Sequence, residues 1–296
     1  MRLLIEAIGF GVASGAVIAL GAVGFTVQFG ISNILNLSFG SLMTCAAYLG
    51  YALLQIHLNV WLALAIVAVV TGVASAALNR ALFARIARRG TGFIGMVIVT
   101  VSAGIVIQYV IVAIAGPDAR SYGQQSGSTV KAAGIVLTTS QLAIIGLTAV
   151  TMVALHLLLT RSTLGRAMRA TAVNPNLAKA CGIRTARVAD VAWLLSGTLC
   201  GAAGVALAIT TVSFDFTLGP TFLIYMIAAA VLGGVGQPYG AMAGGLFTGI
   251  ASQIAGAYWN PAYQDVVAFG LLIAVLLLRP RGLFGVASRN VAGAMR

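Results

Sequence analysis

The chain has 296 residues, of which 60% are hydrophobic and 7% charged, and its mean hydropathy is +1.04. A soluble domain carries about 25% charged residues, so this composition excludes a water-soluble globule and points to a polytopic membrane protein. The net charge of +12 does not indicate nucleic acid, because the bases sit at the edges of apolar runs, where they report orientation.

Met1-Arg2 and the apolar run behind it have the outline of a secretory leader. Glu6 interrupts it and no clear small-residue cleavage site follows, so the segment is expected to be retained. Residues 7–79 contain no Asp, Glu, Lys or Arg, which leaves room for three helices of about 20 residues each. Gln28-Phe-Gly-Ile-Ser-Asn33 divides the first from the second, and His57-Leu-Asn59 the second from the third. The second run opens with polar residues: Asn33, Asn36, Ser38 and then Gly40. Irregular backbone at membrane depth is tolerated only against protein or a water-filled cavity. These four residues are therefore candidates for a translocation path; the other reading is a short interfacial turn that caps a helix.

Runs 90–117, 132–160 and 191–214 give one helix each. Run 216–264 gives two, divided at Gly233–Gly240, and 262–278 gives a last one beyond Asn260-Pro261. The expected fold is all-α: a polytopic transmembrane bundle of eight to nine spans, one domain over 1–296. Residues 221–257 form either two full spans or a re-entrant pair. The loop 116–139, with Gly116-Pro-Asp118, Gly123, Gly127 and Gly134, is a docking surface or a flexible connector, the connector being preferred. Gly11/Gly15, Gly197/Gly201, Gly236/Gly240/Gly244 and Gly245/Gly249 are spaced for close helix crossings. Ser102, Gln108, His156 and Gln253 are expected as contacts between helices, and Asp215 as an outer-loop residue that is solvated or meets a partner outside. Cys45, Cys181 and Cys200 form no disulfide framework or metal motif.

Orientation follows from the bases. Arg80, Arg85, Arg88 and Arg89, six bases within 161–190, and Arg279, Arg281, Arg289 and Arg296 fall on one side; Arg2, Arg120 and Lys131 fall on the other. The basic side is cytoplasmic by the positive-inside rule, which puts the N-terminus outside and the C-terminus in the cytoplasm.

The segment 161–190 is the most polar stretch of the chain. It holds Arg161, Arg166, Arg169, Lys179, Arg184 and Arg187, with Asp190 as its one acid. Asn174-Pro175 predicts an N-cap and a first-turn proline, and Gly182 a C-terminal stop. Two short helices, 163–173 and 175–181, should meet at Asn174, with Arg166 and Arg169 on one face. The segment is either a docking element or a basic loop that only sets topology.

Leu164-Gly-Arg-Ala-Met-Arg-Ala170, Asn174 and Ala178-x-x-x-Gly182-Ile183 resemble the coupling loop of bacterial ABC importer permeases, in particular the shorter-subunit branched-chain amino acid permeases. Asn36, Ser38 and Gly40 match that family's Asn-x-Ala/Ser-His-Gly-acid stretch, which departs here at Phe39 and Ser41. Gly233–Gly245 and Leu278–Gly285 are also similar to it. The resemblance implies that Gly165, Arg166, Arg169, Asn174, Ala178 and Gly182 couple the chain to an ATPase, and that Asn33, Asn36, Ser38 and Gly40 line the path. It implies two cytoplasmic ATPase subunits, a second permease subunit (related or identical), an extracytoplasmic binding protein and the lipid of a bacterial inner membrane. The cargo would be branched-chain or other small apolar amino acids, amides or urea, with no cofactor and no nucleic acid.

Neither Lys131 nor Lys179 lies in a Gly-x-x-x-x-Gly-Lys-Ser/Thr string, so energy must come from a separate polypeptide. The alternative is an ion-coupled secondary transporter. Such proteins bury ionisable groups in mid-membrane, whereas Glu6, Asp118, Asp190, Asp215 and Asp265 map to loops or span ends. An intramembrane enzyme lacks support, since there is no paired Asp, His-Glu-x-x-His or Gly-x-Ser-x-Gly.

Overall fold

A computed structural model describes residues 2–123, 129–132, 135–279 and 282–283. Among the described residues, nine principal helices fall in the counted runs. They are α1 (Arg2–Ser32), α2 (Phe39–Gln55), α3 (Val60–Leu78), α5 (Phe93–Ala115), α6 (Thr139–Arg161), α9 (Thr185–Thr210), α10 (Leu218–Gly233), α11 (Pro238–Tyr258) and α12 (Tyr263–Leu278). Three short helices lie between them: α4 (Ala84–Ala87), reached from α3 through a π-helical turn at Asn79–Phe83, α7 (Thr163–Val173) and α8 (Pro175–Ala180). By length and composition five helices can cross a membrane: α1, α3 with its continuation to Ala87, α5, α6 and α9; α10 and α12 are shorter apolar helices.

Two boundaries differ from expectation. The first helix does not break at Gln28; it continues to Ser32, and the chain turns at Asn33, which sits at φ +51°. Gln28 is buried and hydrogen-bonded within the protein, so its polarity does not end the helix. Part of the loop 116–139 is also ordered: β1 (Thr129–Ala132) pairs antiparallel with β2 (Ile135–Thr138), in the register Thr129↔Thr138. At His57–Asn59 the expected break is present, with Asn59 accepting from the Trp61 N–H as the cap of α3.

The bundle is built around α1 and α9, whose side chains are mostly buried, while α5 and α6 are largely exposed. Helices that are apolar all round and exposed suit a lipid solvent; Ile94, Ile98, Val106 and Ile114 on α5, and Val150 and Val153 on α6, face outward. Small residues set the close crossings. A Cβ on Gly11 or Gly15 of α1 would meet Ile250 or Leu246 of α11, and one on Gly201 of α9 would meet Thr71 and Ala68 of α3. At the end of α9 away from α7–α8, Arg120 and Phe214 exchange backbone hydrogen bonds, and Tyr48, Tyr51 and Tyr122 pack edge-on around the Phe214 ring. The Tyr122 hydroxyl donates to the Ala47 carbonyl, and burial pushes its pKa up, which keeps it a donor.

Candidate functional site

The residues of 161–190 build a compact bent element. Ser162 ends α6 and caps α7, its hydroxyl donating to the Leu158 carbonyl and accepting from the Gly165 N–H. A Cβ on Gly165 would overlap the carbonyl oxygens of Leu158 and Leu159, so only glycine allows α7 to turn back this tightly. Arg169 folds its guanidinium onto the Leu159 carbonyl, which complements the C-terminus of α6. Arg166 stays exposed. The two arginines thus divide: Arg169 holds the turn, while Arg166 makes no side-chain hydrogen bond among the described residues.

The joint at Asn174 follows from its local chemistry. Its carboxamide oxygen accepts from the N–H groups of Asn176 and Leu177, and Pro175 opens α8. At the far end, the Ile183 N–H bonds to the Ala178 carbonyl and the Gly182 N–H to that of Lys179, with Gly182 at φ +80°. This is a Schellman stop, which needs a left-handed residue after the cap. Met168 and Ala178 turn inward and are buried. Val173 and Leu177 turn outward and are 87% and 62% exposed, and the bases Arg166, Lys179, Arg184 and Arg187 of the same segment are exposed too.

The second candidate set does not stay together. Asn33 is exposed at the turn after α1, whereas Asn36, Ser38 and Gly40 are buried. Residues 33–38 run back along α1, and α2 starts alongside Phe25, where the Phe25 and Phe39 rings meet edge-on at 6.0 Å. That is about two turns short of the end of α1. Asn36 donates to the Gln28 carboxamide oxygen at 3.1 Å, Ser38 donates to Asn36, and Ser196 of α9 approaches the same Gln28 oxygen at 3.4 Å. Gln28 is therefore the hub that satisfies the irregular segment inside the protein. Gly40 lies against Gly219 at the start of α10, where a Cβ on Gly219 would overlap the Gly40 carbonyl, and Thr44 accepts from the Gly219 N–H.

Both regions lie within residues 7–276, which match the family model described as branched-chain amino acid transport system / permease component. The chain belongs to that permease family. It is 32% identical over 291 residues to the high-affinity branched-chain amino acid transport system permease protein LivH of Escherichia coli, covering 93% of each chain. It is 29% identical over 294 residues to the corresponding permease protein BraD of Pseudomonas aeruginosa, covering 93% of this chain and 94% of that one. Among solved structures it is similar to PsaBC from Streptococcus pneumoniae, with a TM-score of 0.46 and 15% identity over 95% of this chain and 91% of that one. As a permease component it is a transport subunit and not a catalytic one.

The permease also has a junction that the sequence reading passed over. Asp190, in the first half-turns of α9, accepts from Asn79 at 3.0 Å and pairs with Arg80 at 2.8 Å, both in the π-helical turn. Just beyond, Phe83 and Trp193 stack at 5.1 Å and are fully buried. The element α7–α8–α9 is thereby tied to the end of α3. The signal available was Asp190 itself, the one acid among six bases. Of the other polar residues, Gln253 donates to Ser14 across α11 and α1, Gln108 reaches the Phe216 carbonyl, and His156 meets Tyr239 of α11. Ser102 only bonds back to Ile98 of its own helix.

Proposed function

We propose that the chain is the membrane-spanning permease subunit of an ATP-driven importer that moves branched-chain amino acids, or related small solutes such as amides or urea, across a bacterial inner membrane. The observation that carries this reading is the α7–α8 surface. It is a bent element outside the long apolar helices, capped at both ends of α8, with Val173 and Leu177 exposed in a segment that also exposes four bases. An exposed apolar pair of this kind suits a protein groove, and the fixed caps suit transmission of movement. Each of two cytoplasmic ATPase subunits would seat one such element, with Arg166, Asn174, Ala178 and Gly182 shaping it, and Gly165 and Arg169 holding it to α6. A second permease chain, related or identical, and an extracytoplasmic binding protein complete the assembly. Asn36, Ser38 and Gly40 act by holding the start of α2 against α10 and α1, and Asn33 stands at the cytoplasmic mouth. The N-terminus lies outside and the C-terminus inside, in keeping with the fourteen-to-three division of bases.

Two measurements test this. In proteoliposomes carrying the assembled complex, uptake should require ATP and persist when proton and sodium gradients are collapsed. Ion-driven uptake by the purified chain alone would instead establish a secondary transporter. In a cysteine-free background, Val212→Cys should react with an impermeant thiol reagent from outside the cell, and Ala172→Cys only after the membrane is opened; the opposite pattern reverses the orientation.

A further inference from the structure

At the end of the bundle opposite α7–α8 lies a half-open cavity of about 610 Å³, lined by the first half of α1, the end of α9, the segment 213–225, the second half of α11 and the start of α12. Its lining is mixed. Val17, Ile18, Leu207 and Phe222 contribute apolar surface. Asp215, Ser213, Thr221 and Gln141 contribute polar groups. Asp215 is the one carboxylate among the lining residues, and none of them is Lys or Arg.

Among the described residues no base takes up the charge at Asp215. Its Oδ1 accepts from the Thr217 N–H at 2.9 Å and the Thr217 hydroxyl at 2.6 Å. Among the described residues its other oxygen accepts no hydrogen bond, and no base pairs with it. The described base nearest along the backbone ladder, Arg120, directs its guanidinium to the Ala115 carbonyl and over the Tyr51 ring. A second carboxylate, Asp265, accepts from Tyr225, which also lines the cavity. The start of α10 offers no anion site. The Leu218 N–H bonds to the Asp215 carbonyl, the Gly219 N–H to Thr44, and residue 220 is proline. The space thus has, among the described residues, an unpaired negative group, neutral hydroxyl and carboxamide donors, and apolar surface.

We propose that this cavity is a substrate site on the outer side of the permease, in which Asp215 receives the α-ammonium group and the apolar surface receives the side chain of an aliphatic amino acid. The inference rests on the permease reading and narrows its cargo: an unpaired carboxylate favours a ligand with an ammonium group over an uncharged amide or urea. Neutral donors at Ser213, Thr221 and Gln141 serve the ligand's carboxylate, which here meets no competing cation.

The test uses the permease–ATPase complex in nanodiscs, without its binding protein, with Cys45, Cys181 and Cys200 replaced and Ala119→Cys, a lining position that gives no group to the ligand, as the reporter. Leucine and leucinamide should slow modification by an impermeant thiol reagent several-fold. Urea and 4-methylpentanoate, which has leucine's carbon skeleton without the ammonium group, should not. Asp215→Asn keeps the Oδ1 acceptor that caps Thr217 and removes only the charge, so it should abolish protection by leucine while leaving the complex assembled. Equal protection with and without the charge, or protection by 4-methylpentanoate equal to that by leucine, overturns the site. ATP-driven leucine uptake by the wild-type complex, reconstituted with its binding protein in proteoliposomes, is measured alongside. Uptake with no protection by any ligand overturns the site and leaves the permease reading standing. Absence of uptake overturns that reading, and the site with it.

Discussion

The seam between α1 and α11 allows a prediction whose sign changes with position. A Cβ on Gly245 would lie 2.5 Å from the Ala19 Cα and 2.6 Å from its N, against 3.4–4 Å for an ordinary contact. Gly245→Ala therefore has to part the two helices by about 0.9 Å, and both obstructing atoms are backbone. Overpacking of this kind costs about 1–3 kcal/mol. Alanine returns about 0.5–1 kcal/mol through helix propensity, so the net loss, taken between the middles of the two ranges, should be about 1 kcal/mol. At Gly15 the nearest atom is 3.0 Å away, at the Leu246 Cα, and Gly15→Ala should cost less. At Gly146 of α6 nothing lies within 4 Å, so Gly146→Ala should gain the propensity term and stabilise by about 0.5–1 kcal/mol. Reversible unfolding in mixed micelles, followed as the fraction of denaturing detergent rises, orders the three variants. If Gly245→Ala were as stable as the wild type, or Gly146→Ala as damaging as Gly245→Ala, close backbone contact would not be what sets this seam.

Gly182→Val should insert normally but lose substrate-stimulated ATP hydrolysis in the reconstituted complex, because the left-handed conformation costs a β-branched residue about 1–2 kcal/mol. Gly182→Asn should retain most of it, and equal behaviour of the two would remove conformation as the cause. Asn174→Ala should cost about 1 kcal/mol locally and speed hydrogen exchange at the Asn176 and Leu177 amides, which it caps; unchanged exchange would mean the cap is idle. Asp190→Leu should destabilise by about 1–3 kcal/mol because buried Asn79 loses its acceptor. Asp190→Asn should cost at most about 1 kcal/mol, since the Arg80 side chain it pairs with is 70% exposed. The reverse order in micelle unfolding would show that the ion pair outweighs the hydrogen bond.

What the sequence disclosed was what depends on neighbours in the chain. Asn174, Pro175 and Gly182 act through amides and carbonyls within a few residues, so the bend and both ends of α8 were legible. The nine helices were legible too, because charge-free runs of that length leave few alternatives. Gln28 was misread because its partners, Asn36 and Ser196, meet it only after folding; a polar residue in an apolar run marks either a turn or a buried hydrogen bond. Asp190 hid for the same reason, its partners lying 110 and 111 positions earlier. In the loop 116–139, the glycines outweighed the strand-forming run Ile135–Thr138. At the polar stretch 33–40, only the structure separates exposed Asn33 from the buried residues that anchor α2.

The contact of Gly40 with Gly219 bears on how the chain is made. The two residues are 179 positions apart, and at roughly 5–20 residues per second the ribosome needs about 10–40 s to go from one to the other. Through that interval the start of α2 has α1 and Gln28 beside it but not the helix that closes over it. A nascent chain stalled before residue 219 would hold an incompletely covered bend among lipids or within the insertion machinery. Quality-control proteases that sample unfinished membrane proteins would find their opening there, and a slow codon tract between the two glycines would lengthen it.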